Sequence, residues 1–145
     1  MSQENVETLR GAVEASQRVD VKDVSAMLEI LDPDCVYELP AELFPDPESF
    51  RGHDGFRRQW GQYMDLWQDG TFSVVTEQYI DAGDRVVLLT RHRGRTKHGM
   101  DVEMPVAYVV TFRDAKVVHS RPYMDPAQAL EAAGLSEQDA HADSS

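Results

Sequence analysis

A lone cysteine, the want of a basic leader and the want of any long apolar run remove several classes of protein at once. Cys35 has no second cysteine to pair with in 145 residues. No Cys and His residues stand at metal-binding spacing either, so neither a disulfide framework nor a metal centre is expected. The thiol reads as a small buried apolar group. No segment reaches the roughly 18 apolar residues that a bilayer span needs. The chain opens Ser2-Gln3-Glu4, without the basic and then apolar pattern of a secretory leader. We therefore expect a soluble, cytoplasmic protein. Positive charge is scarce too: 14 Lys and Arg face 26 Asp and Glu, a formal net charge of -12. A surface of that sign repels phosphate backbones and anionic lipid, which argues against nucleic acid and membrane as partners. What basic charge there is gathers at Arg91, Arg93, Arg95 and Lys97.

A chain of this length fits one domain and buries roughly 68–70% of its unfolded surface. Ser2 can cap a first helix with Val6, Leu9 and Val13 on one stripe. Asp20 caps a second, in which Val24, Met27, Leu28 and Leu31 recur at helical spacing, and Asp32-Pro33-Asp34 stops it. Cys35 to Leu39 reads as a strand, followed by a loop holding Pro40, Pro45 and Pro47. A third helix, from about His53 to Trp67, sets Phe56, Trp60, Tyr63, Met64 and Trp67 on one face. From Thr71 to Asp125 strand-like segments alternate with three short turns at 81–84, 96–99 and 113–116, connections so brief that neighbouring strands must run antiparallel. Val102, Met104, Val106, Tyr108, Val110 and Phe112 share one face. Ala107 and Val109 make the other face partly apolar, a surface open to a partner subunit. Asp125, Pro126 and Gly134 bracket a closing helix, and residues 136–145 form a polar tail expected to be disordered.

This order of elements resembles the SnoaL-like branch of the NTF2-like superfamily. The residues that carry the likeness are Leu31-Asp32-Pro33-Asp34, the Arg51-Gly52 helix entry, the IDAGDRVV hairpin, and FRDAKVV leading to YMDPAQALEAAGL. The resemblance spans about Gln3 to Leu135 as one domain. It implies an α+β cone, with N-terminal helices packed on a strongly curved antiparallel sheet, a pocket between them, and a homodimer joined through the sheet. It leaves the chemistry open, since isomerases, dehydratases, cyclases, epoxide hydrolases and non-catalytic binders share this frame. Placed on ketosteroid isomerase, the catalytic base falls on Leu39, the buried acid on Tyr108 and the tyrosine on Ala12, so two of the three groups are missing. The Arg-x-Asp of limonene-epoxide hydrolase has no counterpart at the matching strand. The His and Tyr set of scytalone dehydratase is echoed in part by His92, Tyr37 and Tyr108.

His is the side chain most easily poised for proton transfer near neutrality. His141 falls in the tail, His98 in a turn and His53 at a helix start, all expected in solvent, and His119 is assigned to the outer sheet face. His92 depends on strand register: one pairing sends Arg91 inward, and a one-residue slip sends His92 inward instead. The pocket is expected to hold a small, largely apolar organic ligand against Tyr37, Leu39, Trp60, Tyr63, Met104, Tyr108 and either Arg91 or His92. The enzymatic reading is a lyase, isomerase or hydrolase step without cofactor, His92 acting as base and Tyr108 as donor. The alternative is a non-catalytic binding or dimerisation module.

Overall fold

Turn chemistry dictates most of the architecture. The computed structural model describes residues 2–17, 24–38 and 49–135. Within it, strand β3 (Ser73–Ala82) passes to β4 (Arg85–Arg95) through the two residues Gly83 and Asp84. Gly83 takes φ +80° and Asp81 Oδ1 accepts its N–H at 3.0 Å, so the sharp reversal is held locally. β5 (Asp101–Arg113) and β6 (Lys116–Tyr123) are likewise joined by two residues, Asp114 and Ala115, both at positive φ, 53° and 66°. An alanine in that region carries a penalty that glycine escapes. Ala115→Gly is accordingly expected to raise unfolding free energy by about 0.5–1 kcal/mol in a denaturant titration; a loss of stability would show that this turn is not strained.

The sheet has six strands in the order β2-β1-β6-β5-β4-β3, where β1 is Leu31–Glu38 and β2 is Ser49–Arg51. Four of the five neighbouring pairs are antiparallel, but β1 lies parallel to β6, so the sheet is mixed where an antiparallel one was expected. The pairing joins residues more than 80 positions apart and leaves no local signature. Asp32-Pro33-Asp34 also departs from expectation: it lies inside β1, at the irregularity between Leu31 and Val36. A proline is tolerated there because the ladder is interrupted.

Helices α1 (Ser2–Gln17), α2 (Ser25–Glu29) and α3 (Gly52–Met64) cover one face of the sheet. Val6 and Leu9 of α1 enter a core with Leu31, Tyr37, Leu88 and Val110. α3 ends three residues sooner than its apolar stripe suggests. Its last turn tightens through Leu66 N–H to Tyr63 O and Trp67 N–H to Met64 O, both 3.1 Å, and Trp67 then bridges to Thr96. α4 (Pro126–Ala132) begins as expected, with Asp125 Oδ1 accepting Ala127 N–H at 3.0 Å and Pro126 in the first turn. It packs on the opposite sheet face. There Ala129 and Leu130 bury Ile80, Val87, Ala107 and Val109, so the apolar residues assigned to a partner subunit are covered by the chain's own last helix. The Asp20 cap, the stretch holding Pro40, Pro45 and Pro47, and the tail from Ser136 lie outside the described residues.

Candidate functional site

Register decides which strand residues face the helices. β4 and β5 pair Leu88 with Tyr108, Thr90 with Val106 and His92 with Met104. The hairpin between them closes over 96–100, with Gly99 at φ +86° and Thr96 N–H on Met100 O at 2.9 Å. His92 therefore points inward, only 1% exposed. Arg91 points outward, a correction to the reading that allowed it inside: it is half-exposed and lies 3.8 Å from both Glu77 and Glu103. Two further basic residues of β4 face acids in the same way, Arg93 to Glu103 at 3.4 Å and Arg95 to Asp101 at 2.9 Å.

Between helices and sheet lies a cavity of about 720 Å³, a size ordinary for small organic ligands. Its walls are chiefly apolar, with Leu9 and Val13 from α1, Phe56 and Trp60 from α3, and Leu88 and Val110 from the sheet. Tyr37, Trp67, Phe72, His92 and Tyr108 also reach it. Tyr37 packs its ring 4.9 Å from Phe56 and shares a 2.6 Å hydrogen bond with Cys35 Sγ. Burial raises the pKa of both groups, so this phenol stays protonated. Tyr63 lies behind His92 instead of on the wall, and Met104, opposite His92, packs into the cluster formed by Tyr63, Met64, Trp67 and Phe72. Leu39 lies outside the described residues.

The polar centre of the cavity is a chain of three side chains. Tyr63 Oη lies 2.6 Å from His92 Nδ1, and Tyr108 Oη lies 3.2 Å from His92 Nε2. Burial pushes the imidazole down to about 4, which leaves it neutral at pH 7 with one N–H and one acceptor nitrogen. Tyr63 is buried, and among the described residues His92 is the partner of its hydroxyl. If that hydroxyl merely accepted, its own proton would be buried without an acceptor, so Tyr63 donates to Nδ1. Nε2–H must then donate to Tyr108 oxygen. The Tyr108 proton is left free to point at whatever occupies the cavity. Both ring nitrogens of His92 thus lie within hydrogen-bond distance of tyrosine hydroxyls.

Other polar groups frame this centre. Thr90 Oγ1 donates to Val106 O at 2.7 Å and is satisfied. His119, on the outer face as expected, meets Glu38 at 2.8 Å, and Glu38 borders the cavity. His53 departs from expectation: it is half-buried and donates from Nε2 to Leu31 O at 2.9 Å. Among the described residues no three His, Cys, Asp or Glu side chains cluster as a metal site would. No helix there is long and apolar enough to cross a membrane. The contribution that sequence reasoning missed is Trp67, placed on the aromatic face of the third helix but not among the pocket residues.

The SnoaL-like domain family matches residues 12–120, three quarters of the chain. The protein belongs to the SnoaL-like family. A search of curated proteins returns no match. Among solved structures, an NTF2-like protein from Burkholderia thailandensis is 24% identical with a TM-score of 0.71, covering 90% of this chain and 96% of its own. TerC, co-crystallised with polyporic acid, is 19% identical with a TM-score of 0.69, at 90% and 98% coverage. A protein of ketosteroid isomerase-like fold from Catenulispora acidiphila, in complex with trimethylamine, is 16% identical with a TM-score of 0.58, at 78% and 83%. These likenesses agree on an α+β, NTF2-like fold.

Proposed function

We propose that this SnoaL-like protein binds a small, largely apolar organic molecule in the 720 Å³ cavity and grips an oxygen of it through the Tyr108 hydroxyl. The observation that carries the reading is the Tyr63–His92–Tyr108 chain, whose last proton is available to the cavity. A phenol whose oxygen accepts from Nε2–H gives up density, so it is a better donor to a carbonyl and to the negative charge that grows on it during enolisation. His92 in this scheme tunes Tyr108; the reaction class is acid–base chemistry beside a carbonyl, with Tyr108 as the acid and the α-proton passing to a carboxylate, of which the cavity lining offers Glu38 and Asp69. That the same fold was crystallised with polyporic acid in TerC and with trimethylamine in the Catenulispora protein supports a small organic occupant. A second reading, binding without catalysis, is favoured by one observation: the imidazole is held neutral and weakly basic. Localisation in the cytoplasm and a homodimer joined through the sheet complete the proposal. For the latter, the part of the outer face not under α4, where Val75 is 60% exposed, is the available surface.

The ketone 1-tetralone tests both readings. Binding measured calorimetrically should weaken roughly five- to tenfold in Tyr108→Phe, the value of one hydrogen bond. Exchange of its C2 protons for deuterium should be faster with wild-type protein than in buffer and fall with the same substitution. Binding without accelerated exchange would select the non-catalytic reading, and equal affinity for both proteins would remove Tyr108 from the site.

A further inference from the structure

Strand alternation decides which charges reach the cavity. His92 faces inward, while Arg91 and Arg93 on either side of it face outward and meet Glu77 and Glu103. Among the described residues no Lys or Arg lines the cavity, and two carboxylates, Glu38 and Asp69, border it. The one imidazole on the wall is neutral at pH 7, because burial pushes His92 down to about 4. The charge that these walls present is therefore negative only, on a chain whose formal net charge is -12. An anion entering this space gives up its water and meets no counter-charge, a loss that one neutral hydroxyl such as that of Tyr108 does not offset. A cation finds the opposite conditions.

The part of the cavity next to Asp69 has the shape to receive one. Trp60 and Phe72, both on the wall, stand with ring centroids 6.1 Å apart and planes at 71°, a corner of two aromatic rings that suits an ammonium group. Asp69 lines the cavity and is exposed, so it stands where a ligand enters. Its backbone is fixed in advance. Gln68 N–H donates to Arg95 O at 2.7 Å, Thr71 N–H donates to Gln68 O at 3.2 Å, and Gly70 takes φ +79° to close the turn between them. Phe72 lies against His92, ring centroids 5.4 Å apart, and His92 is bonded to Tyr108, which puts the corner and the Tyr108 hydroxyl on one connected wall. We propose that the cavity selects its ligand by charge: it takes an amine-bearing ketone, with the ammonium group between Trp60, Phe72 and Asp69 and the carbonyl oxygen on Tyr108, and it excludes carboxylates, sulfonates and phosphates of the same size. This rests on the reading of the cavity given above and adds the charge of the ligand, which that reading leaves open. Asp69 is the residue that sets the preference.

The probes are three methyl ketones of similar shape: (4-acetylphenyl)trimethylammonium, its neutral isostere 4-tert-butylacetophenone, and 4-acetylbenzenesulfonate. On the full chain at pH 7, calorimetry should find the ammonium ketone bound about fivefold more tightly than the tert-butyl ketone. The sulfonate should bind at least about tenfold more weakly than the tert-butyl ketone. Raising salt from about 0.05 to about 0.3 M should weaken the ammonium ketone and leave the neutral one unchanged. Asp69→Asn, a change at an exposed turn, should cut the ammonium preference to about twofold or less while the tert-butyl ketone binds as before. A sulfonate bound as tightly as the ammonium ketone, or a preference that Asp69→Asn does not move, would overturn selection by charge while leaving the cavity a binding site. Failure of all three ketones to bind would instead remove the pocket reading beneath it.

Discussion

Gly94→Ala will lower the unfolding free energy by about 2–3 kcal/mol, the usual cost of forcing a group into a packed core. For a chain of this size that is a fall in Tm of roughly 5–10 °C. The new methyl group would stand 2.7 Å from Trp67 Cε3 and 3.2 Å from Phe72 Cα. Neither neighbour is a free side-chain tip: Trp67 is enclosed by rings, and the second atom is backbone. Relief requires the indole to leave β4, and with it the isolated bridge from Trp67 to Thr96 is strained. The same displacement enters the cavity, so weaker binding of aromatic probes should accompany the loss of stability. Thermal unfolding followed by circular dichroism measures the first effect. A variant as stable as wild type would mean that the indole has room to move and that the aromatic cluster is looser than described.

Lowering pH from 7 to 4 should cost about 3 kcal/mol of stability through His92 alone. The sign follows from which state takes the proton. In the unfolded chain the imidazole titrates at its ordinary 6.5, and burial pushes it down to about 4 in the folded protein. Between these values the unfolded state binds a proton that the folded state refuses, so the contribution is complete above 6.5 and is lost as pH falls through the window. Protonation also turns Nδ1 into a donor facing the Tyr63 hydroxyl, 2.6 Å away, and breaks the order of the chain. His92→Phe keeps a ring in contact with Phe72 and Tyr108 but has nothing to titrate. Its stability at pH 7 should fall, because Tyr63 loses its acceptor, and its slope between pH 6.5 and 4 should flatten relative to wild type. Parallel slopes for the two proteins, from denaturant titrations at half-unit pH steps, would place His92 in contact with solvent.

The parts of the fold that could be read from sequence are those written locally. The hairpins at 81–84 and 113–116, the Asp125-Pro126 helix start and the inward alternation of Val106, Tyr108 and Val110 each follow from a few adjacent residues. The parallel pairing of β1 with β6 does not, because it joins segments brought together only by the rest of the sheet. Pro33 misled for a related reason: proline marks a break in regular pairing, and a strand irregularity is as good a place for one as a helix end. In the site, Tyr37, Trp60 and Tyr108 were visible as aromatic positions on inward faces. Whether Arg91 or His92 accompanied them was fixed by a one-residue register that composition does not encode. The partner of His92 on α3, Tyr63, is a property of packing between distant segments, and it emerges only once β4 and the end of α3 are brought together.

The direction of the Tyr63–His92–Tyr108 chain underlies both the binding and the catalytic readings, and imidazole nitrogen NMR at pH 7 observes it directly. The account requires a neutral His92 with Nε2 protonated and Nδ1 bare, unchanged in protonation down to about pH 5. An imidazolium at pH 7, or a proton found on Nδ1, would contradict it, because Tyr108 would then spend its own proton on His92 and have none to offer a ligand.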